Sequence, residues 1–143
     1  MGQQDDARVA WGRLTELFLS ADTHRRFHDA CDAIGLPHPG ALKLLLLVDA
    51  DQPPAMRDVA DQLNCDASWV TNLVDALEDL GYAERVVSAA DRRVKRIQLT
   101  PAGLAARDKA TAVMAEPSPA MTRLSATETK ALAKLLGKLT RPD

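Results

Sequence analysis

Residues 81–103, GYAERVVSAADRRVKRIQLTPAG, decide the fold. Ahead of Gly81, apolar residues recur every three or four positions; beyond it the period shortens. Tyr82 to Val87 and Val94 to Leu99 therefore read as two β-strands joined by the polar loop Ser88 to Arg93. Thr100 then caps a helix with Pro101 at its first position. That helix runs to about Ala115, and Pro117 and Pro119 break the chain after it. One hairpin with arginines at its tip is thus set between helices.

Upstream of the hairpin, Val70, Leu73, Val74, Leu77 and Leu80 share one face of a helix that Asp66 can cap and Gly81 ends. Ser68, Thr71, Asn72 and Asp75 are left on the other side. A short helix from about Met56 to Leu63 precedes it, with Asn64 placed to close it in a left-handed conformation. Ala60, Asn64 and Val70 fall at the spacing where a helix-turn-helix needs a small residue, a turn residue and a core aliphatic. Ala41 to Ala50 reads as a helix apolar enough to be central to the core, followed by a turn at Asp51 to Pro54. From Asp6 to about Ala33, the stripe Ala7, Trp11, Leu14, Leu17, Phe18 and Ala21 predicts one long first helix. A last helix from about Ser125 carries Leu132, Leu135, Leu136 and Leu139 on one face. The expected class is mainly α (α+β), a winged helix-turn-helix with long helices at both ends.

Composition agrees with a single domain. The chain has 143 residues, 46% of them hydrophobic and only 3% aromatic, so its core must be built from Leu, Val and Ala, which suits helices. Two cysteines are too few for a disulfide scaffold, and no charged-then-apolar leader opens the chain, so a cytoplasmic protein is expected. The longest apolar run, Leu44 to Val48, is too short to span a bilayer. A net charge of −2 argues mildly against nucleic acid, but its distribution matters more. From Tyr82 to Lys109, seven basic residues face three acidic ones, a net +4, whereas Ala55 to Leu80 carries −5.

The chain resembles the MarR family of bacterial regulators along nearly its whole length. The family's wing signature, Asp-x-Arg followed by Leu-Thr-x-x-Gly, stands here as Asp91, Arg92, Arg93 and then Leu99, Thr100, Pro101, Ala102, Gly103. Leu77, Glu78, Asp79, Leu80, Gly81 and Tyr82 are similar to the family's Leu-Glu-x-x-Gly-Leu, and Val59 to Leu63 to its Leu-Ala-x-x-Leu helix. The resemblance implies one MarR-like domain over 1–143. Within it, 40–100 would be a DNA-binding winged helix-turn-helix, and the helices of 5–34 and 101–143 would interlock two subunits. The sequence supports a homodimer on its own terms, because amphipathic helices at both ends need a partner to cover their stripes. A twofold dimer would set two recognition helices in successive major grooves of double-stranded DNA, hence a pseudo-palindromic target.

Site residues follow. Ser68, Thr71 and Asn72 can exchange hydrogen bonds with base edges or phosphates. Trp69 flanks the apolar face; contact with a thymine methyl is one role for it, and packing against the wing or a neighbouring helix is favoured. Arg93 matches the family's wing arginine, which implies minor-groove insertion with Asp91 steadying it, while Arg92 and Lys95 would touch phosphate. Ala67 and Asn72 depart from the family, which commonly carries basic residues there, and Asp75, Glu78 and Asp79 make this helix end acidic. Dependence on the wings and a shallow salt response are expected.

Other readings compete. His24, His28 and Cys31 share a helix face and could hold zinc, but three ligands from one helix without a fourth are more often incidental, and no metal or cofactor is expected. Cys65 before a helix start could act as a redox thiol, yet Asp66 disfavours a thiolate, and small buried cysteines are expected at 31 and 65. No glycine-rich phosphate loop, nucleophile elbow or paired metal motif suggests an enzyme. A winged helix used only for protein binding is the main rival to DNA recognition. The resemblance also implies a small aromatic or phenolic effector. Trp11, Phe18, His24 and His28 could line its pocket, though core packing explains the two aromatics equally well. Repression is the commoner family role.

Overall fold

A computed structural model describes residues 2–140, so Met1 and 141–143, the ends of the expected domain range, lie outside the described residues. Among the described residues, seven α-helices, a 3₁₀ turn and one antiparallel hairpin follow in order. They are α1 (Gln3–Phe18), α2 (Ala21–Ile34), α3 (Pro39–Leu47), α4 (Met56–Leu63), α5 (Ala67–Asp79), β1 (Ala83–Val87), β2 (Lys95–Leu99), α6 (Pro101–Ala115), the turn Pro119–Arg123 and α7 (Ala126–Leu139).

The expected single first helix is two helices. Ser20 adopts an extended backbone, and its Oγ accepts the amide of Thr23 at 3.3 Å. The Thr23 hydroxyl reaches back to the carbonyl of Leu17 at 2.8 Å. These two side chains take over the backbone groups that a continuous helix would use, a local competition invisible to apolar periodicity. Gly35, at φ 71°, closes α2 in the left-handed region, with the amide of Leu36 returning to Cys31 O at 2.9 Å.

Helix α3 starts at Pro39 and stops at Leu47, earlier than the expected Ala50. The reason is Asp49, whose Oδ1 accepts the amides of Asp51 and Gln52 at 2.8 and 3.1 Å and bends the chain into a side-chain-closed turn. The core gathers around α3. Leu42, Leu44, Leu45, Val48, Val59, Val70, Leu73, Val74, Leu77 and Ile97 are its largest fully buried side chains, an aliphatic set as composition requires. Leu80 leaves the buried face of α5 and is exposed, because the helix ends at Asp79 and Gly81 turns the chain at φ 72°.

The Leu-Thr-x-x-Gly stretch now has a physical reason. Thr100 Oγ1 accepts the amide of Gly103 at 3.0 Å and donates to Gly81 O at 2.5 Å. The start of α6 thereby lies so close to β1 that a Cβ on Gly103 would sit 1.8 Å from the carbonyl oxygen of Tyr82. Only glycine fits. The Tyr82 hydroxyl in turn donates to Ile34 O at 2.6 Å, fastening the root of the hairpin to α2.

Candidate nucleic-acid interface

Helices α4 and α5 meet at Asn64, whose φ of 49° and ψ of 49° make the left-handed corner. Asp66 caps α5 through Trp69 N at 2.8 Å and accepts the Ser68 hydroxyl at 2.6 Å. The Ser68 hydroxyl, followed by the amides of Trp69 and Ser68, holds the Asp66 carboxyl below its ordinary range. Ser68, Trp69, Thr71 and Asn72 are all exposed, Ser68, Thr71 and Asn72 away from the buried Val70, Leu73, Val74 and Leu77 and Trp69 on their flank. Thr71 donates its hydroxyl to Ala67 O at 3.0 Å, and Ser68 gives its proton to Asp66. Both therefore offer acceptor lone pairs outward, while Asn72 offers donor and acceptor together. Trp69 stacks on His38 at the start of α3, ring centroids 5.6 Å apart, while staying 45% exposed.

The acidic end of α5 is not bare. Arg85 of β1, its side chain only 20% exposed, pairs with Asp75 at 2.6 Å and with Glu78, and also donates to Thr71 O at 3.3 Å. Its own amide donates to Glu78 Oε1 at 3.0 Å. One guanidinium thus bridges two carboxylates, halving their charge, and moors the hairpin beside the polar face of α5. Arg85 is one of the seven basic residues between Tyr82 and Lys109, and two others of the seven are also engaged. Arg96 donates to Pro53 O at 2.8 Å, and Arg107 to Val48 O at 3.0 Å.

What remains at the hairpin is Arg92, Arg93 and Lys95, all exposed. Asp91 grips Arg93 three ways, through its amide at 3.0 Å, its Nε at 3.2 Å and its Nη2 at 3.3 Å, while leaving that side chain 91% exposed. The Arg93 side chain and then its amide lower the Asp91 carboxyl, with a smaller contribution from the charge of Arg57. Arg57 is the residue that sequence reasoning missed, having been counted inside the acidic segment. The strands pair in register, Ala83 opposite Leu99 and Val87 opposite Lys95.

The remaining candidates separate. Cys31 is buried, and burial, aided by Asp32, pushes its thiol up. Cys65 is half-buried, correcting the expectation that both cysteines are buried; its place just after the Asn64 corner keeps it at the rim of the core. The His24 and His28 rings meet edge to face at 5.1 Å, and among the described residues no group of three His, Cys, Asp or Glu is arranged to hold a metal ion. Core packing does not account for Trp11 and Phe18. α1 buries nothing within its own chain, and the two rings line a shallow apolar groove of about 350 Å³ with Leu14 and Thr15, apart from His24 and His28. Among the described residues no helix is long and apolar enough to cross a membrane.

Helix-turn-helix and hairpin together define a winged helix. A family profile described as a winged helix DNA-binding domain matches residues 44–103. No curated protein sequence matches the chain. Among solved structures it is similar to apo MarR from E. coli, at 20% identity with a TM-score of 0.73, covering 91% of this chain and 96% of that one. A MarR-family transcriptional regulator from Rhodococcus sp. RHA1 aligns at 24% identity over 100% and 99% of the two chains, with a TM-score of 0.62. A mutant of MepR from S. aureus, bound to an oligodeoxyribonucleotide, aligns at 22% identity over 90% and 94%, with a TM-score of 0.63. Residues 44–103 are thus similar to a winged helix DNA-binding domain, and the described residues share the fold of solved MarR-family regulators.

Proposed function

We propose that the protein is a homodimeric, non-catalytic transcriptional regulator of the MarR family that acts in the cytoplasm, a repressor that binds a pseudo-palindromic operator and is released by a small aromatic or phenolic effector. The observation that carries this reading is the exposed polar face of α5, beside which Arg85 moors a hairpin whose tip presents Arg93. Asn72 reads a base edge, adenine being its best partner, and Ser68 and Thr71 accept from bases or water. Trp69 borders the same surface and holds the helix through His38. Arg93, oriented by Asp91, enters the minor groove, and Arg92 and Lys95 meet phosphate. The MepR relative held on an oligodeoxyribonucleotide supports DNA as the ligand. Helices α1 and α7 support the dimer, since both leave large apolar side chains uncovered. The domain division follows, with 40–100 for DNA and 5–34 with 101–143 for the partner.

Gel shift with the region upstream of the protein's own gene tests this. Wild type is expected to bind, and Arg93→Ala to lose binding strongly while its melting curve stays put. Absence of binding to every fragment at low salt would favour a winged helix used for protein contacts, and unchanged affinity in Arg93→Ala would remove the wing assignment.

A further inference from the structure

We propose that Arg57 and Lys95, in a cleft that Arg93 also lines, meet one backbone phosphate of the bound duplex, so that α4 and the wing share a phosphate contact. This rests on the reading of α5 and the wing as a DNA-binding surface, and adds to it a residue outside both. The cleft holds about 340 Å³ and is lined by Ala55, Met56, Arg57, Arg93, Val94 and Lys95. Its two walls come from different elements, yet they are joined as one body. Ala55 bridges to Arg96, the amide of Ile97 donates to Pro54 O at 2.9 Å, and Arg96 donates to Pro53 O at 2.8 Å. The segment leading into α4 is therefore tied to β2 by an isolated bridge, and Arg57 keeps its station relative to Lys95 without help from its own side chain.

The cations here differ from the engaged arginines around them. Arg57 is 79% exposed, and its nearest carboxylate, Asp58, stands at 3.9 Å, too far for a good hydrogen bond. Arg93 is 91% exposed and keeps part of its guanidinium fork outward past Asp91. Lys95 is exposed and enters no ion pair among those of the described residues. Three cations thus face two carboxylates, Asp58 and Asp91, over a floor of Ala55, Met56 and Val94. Such a cleft suits a tetrahedral oxyanion with several acceptor oxygens, which the Arg57 fork and the Lys95 ammonium can grip together while Arg93 passes on to the minor groove. Arg57 also lowers the Asp91 carboxyl, so α4 and the wing tip already act through one field. A free phosphate has the same chemistry as a backbone phosphodiester, and the experiment separates the two.

The full chain is titrated against its selected operator and a scrambled duplex of equal length across a KCl series, using fluorescence anisotropy. Arg57→Ala is expected to weaken both duplexes by the same factor and to lower the slope of log affinity against log salt by about one per subunit. Arg57→Lys should retain the slope, and neither exposed substitution should move the melting curve. Wild-type binding with an unchanged Arg57→Ala slope overturns the cleft and leaves the regulator reading standing. A loss confined to the operator overturns it too, since that would be base reading. If wild type binds no duplex while inorganic phosphate shifts the Arg57 and Arg93 Nε–H signals, both the duplex assignment and the regulator reading fall.

Discussion

Asp75 lies one turn beyond Thr71 on the exposed side of α5, where a bare carboxylate would repel an approaching phosphate over several ångströms. Arg85 reduces that repulsion and at the same time moors β1 beside α5. Truncating it would leave two carboxylates and a backbone carbonyl short of their donor at a largely covered position. Arg85→Ala is expected to cost roughly 2 kcal/mol in urea unfolding, and to weaken DNA binding more than its own absent contact would explain. Arg85→Lys should recover part of the affinity but not the stability, because an ammonium cannot reproduce the fork that spans Asp75, Glu78 and Thr71 O. Equal affinity and stability in all three proteins would show that α5 and the wing are held together by packing alone.

The start of α5 depends on an ionised cap. Asp66 titrates below its ordinary value of 3.8 because the folded chain favours its charged form. Its contribution is therefore complete above that value and fades as pH falls through the lower folded one. In acid the first turn of α5 is expected to fray before the domain unfolds, with Trp69 fluorescence reporting it; Asp66→Asn, which caps without a charge, should flatten that early change. A change of the same size in the Asn variant would assign it to another group. Caps of this kind are why so much of the element order was legible in the sequence. Asn64, Asp66, Thr100, Pro101 and Ser125 act within three residues of themselves, and each marks its helix boundary where it was expected. The break at Ser20 was missed although it too is local, because a continuous apolar stripe ran through it. The free faces of the site were legible from periodicity, whereas the engagement of Arg85 was not, since its partners stand seven to fourteen residues away on another element. Arg57 was hidden for the same reason, its neighbours on the wing being set only by the strand-like passage of Pro53 to Ala55.

The whole molecule leaves Val9, Trp11, Leu17 and Phe18 on α1, and Leu135 and Leu139 on α7, open to water. Trp11 alone is 70% exposed in the single chain. In the proposed dimer a second copy would cover these side chains, the same apolar chemistry meeting itself across a twofold axis. Trp11→Glu is expected to remove ~2 kcal/mol of burial from each copy, felt twice across a twofold contact. Sedimentation should then show monomer at concentrations where wild type is a dimer, and a wild-type monomer would refute the arrangement. In the proposed regulator, dimerisation would also turn one winged helix into a reader of paired half-sites. The most direct test is selection of the purified full chain against random-sequence duplexes. The account predicts enrichment of an inverted repeat whose half-sites are centred about 10 base pairs apart. Recovery of unenriched sequence, or of a single half-site without its mate, would contradict it.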